Sequence, residues 1–130
     1  MKTIRVVAAI IKHQGKILIA RRSYGEFQGL WEFPGGKIED GEDGIAALKR
    51  EISEELNVEI TVLDFFMKAT YSYPRFYLDM DCYWCSLATD DFQLEAHSQI
   101  RWIEPDQKDI DWVPADVQII ERIKEYGCKY

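Results

Sequence analysis

Residues 35–58 read GGKIEDGEDGIAALKREISEELNV, and the period of the sequence changes inside this stretch. From Gly44 onward, Ile45, Leu48, Ile52 and Leu56 recur at steps of three and four, the apolar stripe of an amphipathic helix. Ala46 and Ala47 favour the helix, and Glu42 and Asp43 suit its N-terminal end. Asn57 can take the left-handed conformation that closes it. On such a helix Glu51, Glu54 and Glu55 lie three and four residues apart and share a face. Like charges so placed repel, and the pattern implies a partner that neutralises them.

Working outward, TIRVVAAII and KILIARRS are apolar, β-prone segments joined by KHQGK, a turn carrying Gly15, and they predict a hairpin. YGEFQGLWEFPGG reads as loop with a short extended piece over residues 31–33, stopped by Pro34 and two glycines. Downstream, VEITVLDFFMKATYSY and RFYLDMDCYWCSL read as two long strands, antiparallel around SYPR, and QIRWIEP as another strand. WVPADVQIIERIKEY predicts a closing helix that opens at Pro114 and repeats Val117, Ile120 and Ile123. Strand, strand, helix, several strands, helix implies an α/β (α+β) fold, a mixed β-sheet sandwiched between helices.

The 130 residues fit one domain, and the 47% apolar content is enough to build its core. Nothing reads as a linker, a repeat or a membrane span. The apolar run over residues 6–11 ends in a polar turn rather than a cleavage site, so a cytoplasmic protein is expected. The net charge of −7 argues against binding a nucleic-acid polymer, which needs a basic stripe. Between Gly36 and Val58 seven acidic residues face three basic ones, so this short stretch alone carries −4 of that excess. Three cysteines give no disulfide framework. Cys82 and Cys85 have redox spacing, but on a strand they point to opposite faces, which excludes a paired redox site.

Three carboxylates on one helical turn form a hard-oxygen site for a divalent cation. Mg²⁺ is the natural occupant, with Mn²⁺ able to substitute, because it keeps waters that a phosphate can replace. Gly35 and Gly36 let the backbone come close and offer a carbonyl oxygen to the same ion. Lys37 and Arg22 are candidate partners for phosphate oxygens.

These residues resemble the Nudix box, G-x5-E-x7-R-E-U-x-E-E-x-G-U with U aliphatic. Gly36, Glu42, Arg50, Glu51, Ile52, Glu54, Glu55 and Val58 fill its places over residues 36–58, and Asn57 stands where the pattern has Gly. The resemblance extends to VVAAIIKHQGKILIARR, GLWEFPGGK and WVPAD, which are similar to the MutT-like branch of Nudix hydrolases, so it spans most of the chain. It implies the Nudix fold in a single domain, residues 1–130. It also implies Mg²⁺-dependent hydrolysis of a nucleoside triphosphate to monophosphate and pyrophosphate, by a monomer or homodimer. Residue by residue, Glu51, Glu54 and Glu55 are implied as catalytic metal ligands, with Gly35 adding its carbonyl, and Glu51 as the first choice of base. Glu42 and Arg50 are implied to brace loop and helix beside Gly36, Arg22 and Lys37 to hold phosphate, and Glu32 to serve as a further ligand or water-orienting group. Relatives carry Glu-His before the RW strand. Here the register gives Ala96-His97, with Glu95 one position early, so either the loop shifts Glu95 into place as a metal ligand or this carboxylate is missing.

Asp116 resembles the residue facing the base. As a carboxylate it accepts from an exocyclic amine such as cytosine N4, which favours CTP-type substrates over an 8-oxo-guanine nucleotide. It also stands where it can cap the last helix. Tyr77 and Phe76 sit on a strand that can line the base pocket, where alternation admits only one of them, and Tyr77 is taken for base recognition. A non-catalytic nucleotide-sensing module is the reading from another class. Retention of all three box glutamates speaks against it. Nudix enzymes for dinucleotides or nucleotide sugars often carry an extra dimer-forming domain, for which 130 residues leave no room.

Overall fold

One strand, covered on both faces, organises the chain. β1 (Lys2–His13) carries Val7, Ala8, Ala9, Ile10 and Ile11, none more than 1% exposed. A strand buried on both sides needs apolar residues at every position, which is why VVAAII shows no alternation. The computed structural model describes residues 1–23, 25–88 and 100–127. β2 (Lys16–Arg21) folds back antiparallel on the end of β1. The turn has positive φ at both Gln14 and Gly15, the hairpin type whose twist matches its strands. β6 (Phe76–Leu87) runs parallel to β1 from Lys2↔Phe76 to Ile11↔Cys85, and β5 (Ile60–Ser72) pairs antiparallel with β6. On the other edge of β1, residues 6–8 take β4 (Gly35–Lys37), while β3 (Trp31–Glu32) and β7 (Ile100–Ile103) pair with β2. Among the described residues this makes a seven-stranded mixed sheet.

Alternation along β1 splits the core into two layers. Val7, Ala9 and Ile11 pack with Ala47, Leu48, Ile52 and Leu56 of helix α1 (Gly44–Leu56). Ala8 and Ile10 pack with Met80, Trp84 and Ile119, Ile120 and Ile123 of helix α2 (Val117–Tyr126), which follows a 3₁₀ turn over Pro114–Asp116. This is the expected sheet sandwiched between helices.

Two of the expected stripe residues lie outside. Ile45 and Val117 are 43% and 42% exposed, and Ala47 and Ile119 are buried instead. Two positions on a helix turn it by about 200°, so burying Ala47 and Ile119 sends Ile45 and Val117 outward. The helix ends behave as read. Asp43 caps α1 by accepting from the Ala46 N–H at 2.8 Å, and Asn57 closes it at φ 55°, ψ 38°, donating to the Ser53 carbonyl. β4 is an element the sequence does not announce, because two glycines bring no apolar pattern. Cys82 and Cys85 lie in opposite layers, and burial pushes the Cys85 thiol up to about 12 and the Cys82 thiol well above its ordinary value. Neither can act as a thiolate near neutral pH. No described helix is long and apolar enough to cross a membrane.

Candidate active site

The glycines of β4 are fixed by what touches them. A Cβ at Gly35 would overlap the Val7 carbonyl oxygen, so pairing with β1 demands glycine there. A Cβ at Gly36 would occupy the space of the Glu51 carboxyl group. The backbone of β4 therefore lies directly against the first glutamate of α1.

Arg50 ties the loop to the helix. Its Nε and Nη2 donate to Glu42 Oε2 and Oε1 at 2.8 and 2.9 Å, a bidentate fork, and Nη2 also donates to the Lys37 carbonyl at 3.0 Å. That fork, with a hydrogen bond from the Glu39 N–H, holds the Glu42 carboxyl down near 2. Arg50 Nη1 reaches Glu51 Oε1 at 2.9 Å and Glu54 Oε2 at 3.4 Å. The sequence reading has the three helix glutamates converging on one point. The structure shows what holds two of them. Glu51 and Glu54 share the Arg50 guanidinium, Glu54 is 60% exposed, and among the described residues no three acidic, His or Cys side chains are gathered to hold an ion.

Glu55 reports the charge of the site. Its carboxyl is raised to about 7, first by desolvation, then by repulsion from Glu51 and Glu32, with Arg22 and the Gly35 backbone opposing. By area the residue as a whole is exposed. The like charges of its neighbours, which area does not measure, support the upward direction. Glu32 on β3 thus belongs to the same electrostatic cluster as the helix carboxylates. Four carboxylates, all hard oxygen donors, with one of them destabilised in its charged form, are chemically suited to a divalent cation.

Next to them a cleft of about 130 Å³ is lined by Arg22, Glu32, Gly35, Gly36 and Asp116 and by the aromatic rings of Phe27, Phe33, Tyr73 and Phe76. Arg22 donates from Nε and Nη2 to Glu32 Oε2 at 3.1 and 2.8 Å. Asp116 is 4% exposed, and its Oδ2 accepts from the Phe33 N–H at 2.8 Å. Desolvation and then the Glu32 charge, against the Phe33 bond and Arg22, raise its carboxyl to about 8. At neutral pH it is mostly a neutral acid. With Oδ2 engaged as an acceptor, the proton sits on Oδ1, and the group can both donate and accept. This revises the sequence picture of Asp116 as a pure acceptor. The capping reading fails as well, since the side chain makes no cap hydrogen bond and turns to Phe33.

Phe76 and Leu78 line the cleft, so alternation along β6 sends Tyr77 to the other face. The aromatic of β6 that lines the cleft is Phe76, not Tyr77. Tyr73, which sequence reasoning missed, stands beside it, with ring centroids 5.2 Å from Phe27 and 5.0 Å from Phe76. Its hydroxyl accepts from the Ala115 N–H at 3.1 Å, which anchors the turn carrying Asp116, and burial pushes its phenol up to about 12. The aromatic density of YSYPRFY was the available signal. Lys37 lies outside this cleft and lines a larger one of about 470 Å³, so volume alone does not mark the chemistry. Glu95 lies outside the described residues.

A family model described as NUDIX domain matches residues 1–123 of the chain. A CTP pyrophosphohydrolase of Escherichia coli (strain K12) is 35% identical over 123 residues, covering 93% of this chain and 91% of that protein. An 8-oxo-dGTP diphosphatase of Haemophilus influenzae is 31% identical over 131 residues, 94% of this chain and 92% of that one. The solution structure of a DNA mismatch repair protein MutT, family Nudix hydrolase, from methicillin-resistant Staphylococcus aureus 252 superposes with a TM-score of 0.75. It is 36% identical and covers 98% of this chain and 100% of its own.

Proposed function

This chain belongs to the Nudix family of pyrophosphohydrolases, and we propose that it hydrolyses a (deoxy)nucleoside triphosphate to the nucleoside monophosphate and pyrophosphate, with cytosine nucleotides as leading substrates. The observation that carries this reading is the buried Asp116 carboxyl in an aromatic-lined cleft that also contains Arg22, Glu32 and the two glycines. Rings provide stacking area for a base. A neutral carboxyl offers an O–H donor beside a carbonyl acceptor with a lone pair to spare after the Phe33 bond. Cytosine presents the complement, a ring-nitrogen acceptor next to an amine donor. The relative named as a CTP pyrophosphohydrolase agrees with this.

The same carboxyl supports a second reading. 8-Oxo-guanine presents a carbonyl acceptor beside an N–H donor, whereas guanine itself presents two acceptors on that edge. An 8-oxo-dGTP diphosphatase is therefore the alternative, and a relative carries that name.

Mg²⁺, with Mn²⁺ able to substitute, would be held by Glu51, Glu54 and Glu55, with the Gly35 carbonyl and Glu95 as further donors. When bound, such an ion supplies charge neutralisation and an activated water. The chain's own groups do the rest. Arg22 and Lys37 hold phosphate oxygens. Arg50, fixed by Glu42, orients Glu51, and Glu51 takes the proton of the attacking water. A new P–O bond forms at the α–β link, the bridging P–O bond breaks, and pyrophosphate leaves with the bonding pair.

The test is a panel of CTP, dCTP, 5-methyl-dCTP, 8-oxo-dGTP and the common nucleotides with Mg²⁺, with products separated by chromatography. Cytosine nucleotides turning over fastest supports the leading reading, and a preference for 8-oxo-dGTP replaces it with the second. No turnover of any nucleoside triphosphate overturns both.

A further inference from the structure

β1 runs further than its partner. Its pairing with β4 ends at Val6↔Lys37, the Ile38 N–H makes one more bond to the Arg5 carbonyl at 3.1 Å, and the loop then peels away. Between the start of β1 and that loop opens the cleft of about 470 Å³, whose lining includes Lys2, Arg5, Lys37, Glu39, Asp40 and Glu42. The lining carries three cations and three carboxylates, and two of the carboxylates are engaged by Arg50. Glu42 is held bidentate by Arg50, and Glu39 lies 3.7 Å from the same guanidinium. Among the described residues, Lys2, Arg5 and Lys37 have no carboxylate within ion-pairing distance, and Asp40 is the only unengaged acid lining the cleft. Three cations without partners gathered at one cleft, in a chain of net charge −7, are arranged for an anion.

The cleft adjoins the site already described along β4. Gly36 lines one and Lys37 the other, and the Lys37 carbonyl accepts from the same Arg50 that holds Glu51 and Glu54. A triphosphate whose nucleoside fills the aromatic cleft and whose first phosphate meets the carboxylates has its remaining phosphates to place beyond them. We propose that this second cleft receives those distal phosphates and holds the pyrophosphate product until release, with Lys2 and Arg5 as contacts beyond Lys37. The inference rests on the triphosphate reading above and extends it to a leaving-group site built from the first strand.

The test uses Lys2→Ala/Arg5→Ala, both exposed positions, with Lys16→Ala/Lys108→Ala as a control that removes equal charge elsewhere on the surface. Steady-state kinetics are run on a nucleoside triphosphate and on the matching diphosphate, which lacks the terminal phosphate, with inorganic pyrophosphate as inhibitor. The expected result is a KM for triphosphate and an inhibition constant for pyrophosphate each raised about tenfold. The triphosphate-to-diphosphate ratio of kcat/KM then falls by a similar factor, while the control moves each less than about twofold. Equal behaviour of the two variants, or unchanged pyrophosphate inhibition, overturns the inference. Calorimetric titration of inorganic tripolyphosphate into wild type and variant separates the two failures. If no nucleotide is turned over, weaker binding by Lys2→Ala/Arg5→Ala still supports the cleft, and equal binding refutes it.

Discussion

Replacing Asp116 with Asn tests the most consequential electrostatic feature of the site. The native carboxyl titrates near 8, whereas in the unfolded chain it has the ordinary value of 3.8. Between those values the unfolded state has lost its proton and the native state has kept it. The native state then binds more protons, so stability falls as pH rises, by about 1.4 kcal/mol per pH unit for one group. The full contribution is present below the ordinary value and is gone once pH passes the native one. From about pH 5 to pH 7 this amounts to roughly 3 kcal/mol. Asn is close in shape, can accept from the Phe33 N–H through its carbonyl, and does not titrate. Urea denaturation of both proteins at several pH values should give stability curves that diverge by about that amount, with the Asp116→Asn variant gaining relative to wild type as pH rises. Parallel curves would refute the neutral, buried Asp116 and the donor–acceptor pairing inferred from it.

Other consequences follow from single contacts. Gly36→Ala puts a methyl group where the Glu51 carboxyl lies and should cut turnover at least about tenfold while far-UV circular dichroism is retained; Gly35→Ala meets the Val7 carbonyl itself and should lower the thermal midpoint as well. Arg50→Lys loses the fork on Glu42 and should lower kcat by about ten- to a hundredfold, more than it changes KM. Glu54→Gln or Glu55→Gln should fold and lose most metal-dependent turnover, so full activity in either would overturn the ligand assignment. In a Cys128→Ser background, Cys82 and Cys85 should resist iodoacetamide at about pH 8 until the protein is unfolded, because burial keeps both thiols protonated.

The elements that could be read from the chain are those whose signal is local. The hairpin, α1 with its Asp43 and Asn57 ends, and the REISEE face follow from periodicity and cap chemistry within a few residues. Long-range geometry was not legible. β4 pairs with β1 and needs glycine at 35 and 36 because Val7 and Glu51 leave no room for a side chain there, and neither neighbour is near in sequence. Asp116 becomes a neutral acid only because the fold buries it against Phe33, 83 positions away. Tyr73 enters the cleft through a hydrogen bond to Ala115 across 42 positions. Three glutamates sharing a face could be read from the spacing, but not that Arg50 bridges Glu51 and Glu54, since side-chain direction depends on which partners the fold brings near.

The central claim is that the carboxylate helix and the Asp116 cleft form one pyrophosphohydrolase centre with Glu51 as its base. Product analysis of wild type and Glu51→Gln on CTP or dCTP with Mg²⁺ tests it most directly. Wild type should release one pyrophosphate and one nucleoside monophosphate per turnover without orthophosphate, and Glu51→Gln should fall by about a hundredfold or more with its fold intact. Orthophosphate as the primary product, or a Glu51→Gln enzyme that keeps wild-type turnover, would contradict the account.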